Sequence, residues 1–295
     1  MARSGRGLGS ERVREALVGY AFIVIPMFSF LVFSIYPLFY ALYISRYEWG
    51  ILGKIEPLGL ENYRELLRDD LFGKAVKNTL LYTAVVVPCQ MALGLGMAVI
   101  VNQALRFRTF FRAAFYFPSL ASSAAITAIA IFILSSDGLL NSLLGTDRAW
   151  FADSDTALPS IMGLNIWTTS GTMMLFYLAS LQSISTDVYE AAAIDGARTW
   201  RTFWKITFPL LKPGHFFVLV VSVIGSLQLF DQAFIASGGG GGPNYATTTM
   251  VLYLFQTTVQ DFRFGYGAAL GVALFVLIFT LTLIQRLLFG RTEAA

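Results

Sequence analysis

The sequence contains few of the side chains from which disulfide, metal and catalytic sites are built. Its one cysteine, Cys89, cannot form an internal disulfide. Its one histidine, His215, excludes a His-rich metal site and argues against a Ser-His-Asp triad. Neither a phosphate-binding G-x-x-x-x-G-K-[ST] motif nor an H-E-x-x-H motif occurs. We therefore expect no catalytic residue, no metal site and no cofactor bound by this chain.

Charged residues are also scarce. They make up 13% of the 295 residues, against about 25% in soluble domains, while 56% of the residues are hydrophobic. The mean hydropathy is +0.64. A soluble domain of this size could not bury so much apolar surface, so the composition predicts an all-α, polytopic integral membrane protein. The net charge of +3 gives no reason to expect a nucleic-acid partner.

Long apolar runs predict six transmembrane helices, each with the roughly 20 residues that a bilayer crossing needs. The first run has no A-x-A-like cleavage site and is too long for a signal-peptide core, so we interpret it as an uncleaved span. A polar tail at 1–16 precedes it, a transmembrane domain extends over 17–290, and a short tail at 291–295 follows. The predicted spans are 17–45, 75–103, 112–135, 158–183, 214–236 and 266–289.

The distribution of basic residues predicts which side of the membrane each loop faces. With six spans both termini lie on the same side. That side holds 13 of the 21 lysines and arginines, although the first loop on the other side carries six. The positive-inside rule therefore places both termini and the loop at 184–213 in the cytoplasm.

The cytoplasmic loop at 184–213 is rich in both charge and apolar surface. We expect Asp187 to cap a helix whose third position is Glu190, in the manner of a capping box. Gly196 predicts a break in that helix, because glycine costs about 1 kcal/mol relative to alanine in a helix interior. Pro209 and Pro213 are expected to stop a second, basic helical piece.

Several motifs in this order resemble those of the permease subunits of bacterial ATP-binding cassette (ABC) importers. Glu190-Ala-Ala is followed two residues later by Asp195-Gly-Ala, and then by Pro209 and Pro213, as in the EAA loop of these proteins. The segments G-L-E-N-Y at 59–63, F-R-A-A-F-Y-F-P at 111–118 and G-G-P with T-T-T at 241–249 extend the resemblance. They are similar to the carbohydrate-uptake branch, specifically its maltose-type first permease subunit.

The resemblance implies an ABC type I importer permease fold in a bacterial cytoplasmic membrane. It also implies a coupling helix that docks on a separate ATPase dimer, which would bind ATP and Mg²⁺. The other partners implied are a second, different permease and an extracytoplasmic substrate-binding protein that docks on the loops at 136–157 and 237–262. The residues assigned to the coupling helix are Glu190, Ala191, Ala192, Asp195 and Gly196.

Polar side chains inside the predicted spans indicate a solute path, because such groups are costly in hydrocarbon unless they face protein or water. In the fourth span, Asn165, Thr168, Thr169 and Thr172 recur at helical spacing. In the fifth span, Ser222, Gln228 and Asp231 interrupt an aliphatic run, and Gln90 in the second span lines the path or pairs with a neighbouring backbone group. Amides, hydroxyls and carboxylates of this kind bind sugars. The alternative is that the threonines and serines hydrogen-bond between packed helices.

The resemblance assigns sugar contacts to overlapping positions. They fall on Asn165, Thr168, Thr169 and Thr172 in the fourth span, and on Val221, Ile224, Gly225 and Gln228 in the fifth. Asn165 keeps the amide of the family pattern and Gln228 nearly matches it. Thr172 and Ile224 stand where the family has aromatic side chains, which argues against maltose itself.

The sequence therefore predicts a permease subunit that moves a sugar, of two or more units, into the cell. Alternatives are glycerol phosphate or another polyol-like solute, although strongly cationic residues are absent from the spans. An ion-gradient carrier working alone has no use for the loop at 184–213. A membrane enzyme or scaffold would need clustered acidic or histidine residues at a membrane surface, and the sequence shows none.

Overall fold

The computed structural model of the protein describes residues 7–103 and 106–289. Almost all of its regular structure is helical, as the composition predicted. The helices of the described ranges, in chain order, are α1 (Gly7–Phe30), α2 (Tyr36–Ile44), α3 (Glu61–Arg68), α4 (Asp70–Asn102), α5 (Arg108–Leu120), α6 (Ser123–Ile133), α7 (Leu139–Leu144), α8 (Ala157–Gln182), α9 (Thr186–Ile194), α10 (Thr199–Thr202), α11 (Phe208–Leu210), α12 (Lys212–Leu227), α13 (Asp231–Ala236), α14 (Met250–Phe255) and α15 (Phe264–Phe289).

Three π-helical turns, one 3₁₀ turn (Pro243–Tyr245) and one hairpin complete the described elements. The π turns are Leu31–Ile35 between α1 and α2, Phe203–Thr207 between α10 and α11, and Gln256–Gln260 after α14. Strands β1 (Tyr47–Gly50) and β2 (Gly53–Pro57) pair antiparallel. The sequence analysis did not predict this hairpin, which lies in the polar stretch after the first span.

Four segments of the described chain are long and apolar enough to cross a membrane: Val13–Ile44, Asp70–Asn102, Lys212–Ala236 and Phe264–Phe289. A fifth would be α5 with α6, two helices bent by 89° at Ala121 and Ser122. Helix α8 has 26 residues and covers the fourth predicted span, but its asparagine, threonines and serines make it less apolar. The number of six crossings and the span boundaries stay a prediction.

Two predicted spans are each divided into two helices. The third, predicted at 112–135, breaks because Ala121 takes an extended conformation (ψ 150°) between α5 and α6. The fifth, predicted at 214–236, leaves helical geometry over 228–230, between α12 and α13. Each break lies in an apolar run whose hydropathy predicts a single span.

Helix α8 is the centre of the packing, and three neighbours contact it at glycines. A Cβ at Gly94 of α4 would lie 2.7 Å from Met173 Cβ, and one at Gly214 of α12 would lie 2.5 Å from Ser180 Oγ. A Cβ at Gly171 of α8 would lie 2.4 Å from the Phe115 carbonyl oxygen of α5. Small residues permit such close helix contacts in membrane proteins. Met174 and Tyr177 of α8 are buried in the resulting core.

An acidic side chain joins three elements at the opposite end of α4 from the loop at 184–213. Asp69 Oδ1 accepts a hydrogen bond from the Leu71 N–H (2.8 Å) and so caps α4. Asp69 Oδ2 accepts hydrogen bonds from the phenols of Tyr253 and Tyr266 (2.6 Å for Tyr266). Partial burial by itself would raise the pKa of this carboxyl. The hydrogen bonds from the two tyrosines and from backbone N–H groups outweigh burial and hold the pKa below its usual value.

We predict that Asp69→Asn lowers the thermal stability of the purified protein. The charged acceptor is lost, and hydrogen bonds to charged groups contribute about 1.5–3 kcal/mol each. Because the folded-state pKa lies below the unfolded value of about 3.9, the stabilisation is present at neutral pH and disappears as the pH falls through the folded pKa. Melting temperatures measured from neutral to acidic pH test this.

Asp70→Asn is the matched control, since Asp70 is the neighbouring carboxylate and is exposed. We expect it to change the melting temperature by much less. Equal melting temperatures for Asp69→Asn and the native chain at neutral pH would show that the carboxylate does not hold these elements together.

Candidate functional site

The predicted coupling helix is α9. It ends at the predicted break at Gly196, but its N-terminal cap is not the predicted residue. The cap is Ser185, whose Oγ accepts a hydrogen bond from the Asp187 N–H (3.3 Å), so the prediction that Asp187 is the cap was wrong. Asp187 instead lies in the first turn, where its negative charge interacts favourably with the positive end of the helix dipole.

Gly196 ends α9 with a left-handed residue, φ 70°. Its N–H donates to the Ala193 carbonyl (3.1 Å), and the Ala197 N–H donates to the Ala192 carbonyl (3.0 Å). This pair of bonds is a Schellman motif, which favours glycine because other residues are strained at positive φ. The predicted break at Gly196 is therefore confirmed.

The two prolines begin helices rather than stop one, which corrects the sequence-based expectation. Pro209 lies in the first turn of α11 and Pro213 in the first turn of α12. Proline is favoured there because the first N–H groups of a helix have no partner within the helix. The chain therefore runs from α10 through α11 into α12 with a single non-helical residue, Leu211 (ψ 5°).

One face of α9 is anchored and the other is free. Ala192 is 5% exposed, and Tyr189 Oη accepts a hydrogen bond from Thr207 Oγ1 (3.4 Å) in the following π turn. The other four predicted coupling residues are exposed: Glu190, Ala191, Asp195 and Gly196. A short, capped helix with this division can transmit a displacement from a partner on its free face to the helices behind it.

Four predicted path residues surround one polar cavity. The cavity has a volume of about 210 Å³ and lies at the interruption between α12 and α13. Asn165 of α8 and Ser123 at the start of α6 contribute to its wall. The predicted residues in it are Asn165, Gly225, Gln228 and Asp231.

The other predicted path residues do not line this cavity. Thr168 is buried, and its Oγ1 donates to the Asn165 carbonyl oxygen of its own helix (3.1 Å). Thr169 Oγ1 lies 2.6 Å from Gln90 Oε1, so the Gln90 side chain joins α4 to α8. Thr172 and Ile224 are half-buried. These contacts match the alternative in which hydroxyl groups hydrogen-bond within and between packed helices.

A buried glutamine that sequence reasoning missed orients Asn165. Gln232 is 4% exposed, and its Oε1 accepts a hydrogen bond from Asn165 Nδ2 (3.1 Å). The sequence did offer a signal, because Gln232 is an amide next to Asp231 in an apolar span. In a continuous helix, however, the side chains of Asp231 and Gln232 would point in different directions. Ser123 carried no signal until the bend between α5 and α6 placed it at the cavity.

The interruption between α12 and α13 is supported by the segment that follows the glycine run. Thr249 Oγ1 donates to the Leu229 carbonyl oxygen (2.7 Å), which the interruption frees from helical bonding. Thr79 Oγ1 accepts from the Met250 N–H (3.0 Å), and Asn78 Nδ2 donates to the Thr248 carbonyl oxygen (3.0 Å). Backbone groups of a broken membrane helix need such partners because lipid supplies none.

An apolar helical bundle with an interrupted helix beside a polar cavity has the architecture of a membrane transport protein, in which such helices commonly line the solute site. A family model described as "Binding-protein-dependent transport system inner membrane component" matches residues 90–293. The chain belongs to this family. It is thus the multi-pass permease component of an ABC importer, and the predicted type I permease fold is confirmed.

Relatives and solved structures agree with this assignment. The chain is 34% identical to the probable ABC transporter permease protein YesP of Bacillus subtilis, over 92% of this chain and 90% of YesP. It is 32% identical to the lactose transport system permease protein LacF of Rhizobium radiobacter, over 90% of this chain and 92% of LacF. Its fold is similar to a chain of the bacterial alginate ABC transporter in complex with an alginate pentasaccharide-bound periplasmic protein, with a TM-score of 0.83 and 22% identity over 97% and 98% of the two chains.

We predict that Gln232→Leu destabilises the protein while Gln228→Leu does not. The first change removes the buried partner of the half-buried Asn165 amide, and an unsatisfied buried group costs about 1–3 kcal/mol, so we expect a loss toward the lower end of that range. The second is the same substitution at an exposed position four residues away. Thermal unfolding of the two purified variants compares them directly, and equal melting temperatures would show that Gln232 does not hold Asn165 in place.

Proposed function

We propose that this chain carries a neutral saccharide of two or more units into the cell, as one of two permease subunits of an ATP-driven importer. The observation that supports this is the cavity where Asn165, Gln228 and Asp231 meet at an interrupted helix. Amides and carboxylates offer the donors and acceptors that sugar hydroxyls need. LacF, whose name specifies lactose, supports the same class of solute.

The charge of the cavity favours a neutral solute over a phosphorylated one. Asp231 is its acidic residue, and its described wall contains no lysine or arginine. A phosphate group would be repelled by the carboxylate and would lack the cationic partner that usually binds it. Glycerol phosphate is therefore the weaker alternative, and an uncharged polyol remains compatible with this wall.

The cavity forms one side of a solute path, and a second permease supplies the other. Its volume of about 210 Å³ is below the roughly 300–1,000 Å³ of most small-molecule sites. Gly225, Gln228 and Asp231 are exposed on the isolated chain. Polar groups in hydrocarbon are costly, so this face lies against a partner subunit or a water-filled path rather than lipid.

Energy reaches the path through α9. An ATPase dimer that binds ATP and Mg²⁺ docks on the exposed face of Glu190, and its closure displaces α9. The displacement passes to α12, because α10 and α11 lead directly into it, and to α8, because His215 Nδ1 of α12 lies 3.0 Å from Tyr177 Oη of α8. Helix α8 carries Asn165, and α12 carries Gly225 and is followed by Gln228, so the cavity changes shape with the nucleotide state.

The remaining parts of the proposal concern location and delivery. Both termini and α9 face the cytoplasm of a bacterial cell, as the excess of basic residues predicts. A soluble binding protein delivers the saccharide from outside to the loops at 136–157 and 237–262. An ion-gradient carrier that works alone is disfavoured, since it offers no role for the free face of α9.

Substitutions at Gly196 test the coupling role. Gly196→Val places a β-branched side chain at φ 70° and should distort the end of α9, whereas Gly196→Asn is tolerated in that conformation. We expect the valine variant to lose ATP-dependent uptake and the asparagine variant to keep most of it. The assay uses vesicles that contain the complete transporter. Full uptake by Gly196→Val, with the subunit present in normal amounts, would contradict the coupling role.

Substitutions in the cavity test the path. Gln228→Leu removes an amide from the exposed wall, and Asp231→Asn replaces its charged acceptor with a neutral one. A loss of about 1.4 kcal/mol of binding corresponds to a tenfold change. We expect at least about a tenfold lower uptake of the saccharide that the system's binding protein binds, with unchanged melting temperatures. Glu56→Gln, on the exposed face of β2, is the control. Unchanged uptake by both cavity variants would place the solute elsewhere.

A further inference from the structure

A large apolar groove lies at the end of the molecule near α9, on the opposite end of α12 from the polar cavity. Its volume is about 1,030 Å³. One wall is formed by Met91 and Leu95 of α4 and Leu219 of α12. The other is formed by Trp200 and Trp204, which lie between α9 and α12 in the stretch 195–211, called the coupling segment below. The groove therefore joins two membrane-spanning helices to the segment between α9 and α12.

The groove walls have the chemistry of a membrane interface. Trp200 is 73% exposed, although it lies beside apolar helices. Tryptophan is enriched where lipid headgroups meet the hydrocarbon core. The apolar wall cannot bind a sugar, because it offers almost no hydrogen-bonding group along α4. An acyl chain is the ligand that this wall fits.

One cation of the groove wall forms no ion pair with the side chains that the structure describes. Lys212 lines the groove, is exposed, and makes no ion pair among the described side chains, those of 13–103 and 106–289. The sequence from 197 to 230 contains four basic residues and no acidic one. No carboxylate of this segment can therefore neutralise Lys212, which leaves its ammonium available to an anionic group from outside.

We propose that this groove binds an anionic phospholipid of the cytoplasmic leaflet, with its phosphate at Lys212 and an acyl chain between α4 and the coupling segment. Placement in that leaflet rests on the proposed function, which puts α9 in the cytoplasm. The positive charge of Lys212 favours this lipid over an apolar helix of another subunit as the occupant of the groove. A helix such as Val13–Ile44, in which Arg14 adjoins Glu15 as the one acidic residue, would bring no net negative charge to Lys212.

The bound lipid acts on transport through the wall that it contacts. Trp200 and Trp204 lie between α9 and α12, on the route by which ATPase closure reaches the cavity. A lipid held against α4 on one side and against these tryptophans on the other links the coupling segment to the rest of the bundle. Anionic lipid therefore sets how completely a displacement of α9 reaches α12.

The experiment compares lipid retention by the complete transporter and its variants. The complex is incorporated into phosphatidylcholine vesicles containing a photoactivatable phosphatidylglycerol, irradiated, purified and digested. We expect crosslinks in 88–99 and 200–219, and a loss of at least about fivefold for Lys212→Gln. Lys205→Gln removes the same charge from the same segment outside the groove wall, and we expect it to retain the lipid. A photoactivatable phosphatidylcholine should label both variants equally.

Each outcome decides the proposal. Equal phosphatidylglycerol labelling of Lys212→Gln and Lys205→Gln would reduce the effect to general attraction by basic residues and overturn the site. A native complex that carries no lipid adduct in 88–99 would overturn the site and would be the result expected if a partner helix fills the groove. Uptake is measured in the same vesicles. A complex that retains the lipid at Lys212 but transports no saccharide in any lipid would refute the proposed function and leave the lipid site standing.

Discussion

The close approach of α8 to three neighbouring helices is the constraint on which the rest of the structure depends. Gly94, Gly171 and Gly214 leave no room for a Cβ at their contacts with α8 or its partners, so backbones meet where larger residues would separate them. In lipid, helices gain little from burying apolar surface and associate through such packing and through hydrogen bonds. Any widening at these contacts would move Asn165 away from Gln232.

This rigid centre determines which parts of the chain can change shape. Helix α8 holds Asn165 from a fixed position, whereas α12 and α13 meet at an interruption whose backbone is held by the side chain of Thr249. The polar wall is thus fixed on the α8 side, and its other side is held by hydrogen bonds that involve Thr249 and Gln232. A displacement at the α9 end of α12 reaches the interruption along one helix of 16 residues, which is stiff enough to carry it.

Much of the fold and of α9 could be predicted from the sequence, because hydropathy and helix-end chemistry are local. The αL position of Gly196 follows from its own backbone freedom. The break at 228–230 could not be predicted, since it is supported by the hydroxyl of Thr249, which is distant in the chain from Leu229. The same limit explains Thr168 and Thr169, whose helical spacing indicated a shared face. Their hydroxyls are used inside the bundle, by the Asn165 carbonyl and Gln90.

The chain has an exposed apolar surface, which lipid can cover, and an exposed polar surface, which it cannot. This difference indicates which surface faces the bilayer and which faces another subunit. None of the apolar segment Val13–Ile44 is buried against the rest of the chain, which costs nothing in lipid. Asp231 and Gln228 are also exposed, and on insertion scales an aspartate costs about 2.5–3.5 kcal/mol at a helix centre. The bilayer can cover the first surface but not the second. The polar face is therefore the one that we infer a second subunit covers, and the path for the solute lies where the two chains meet.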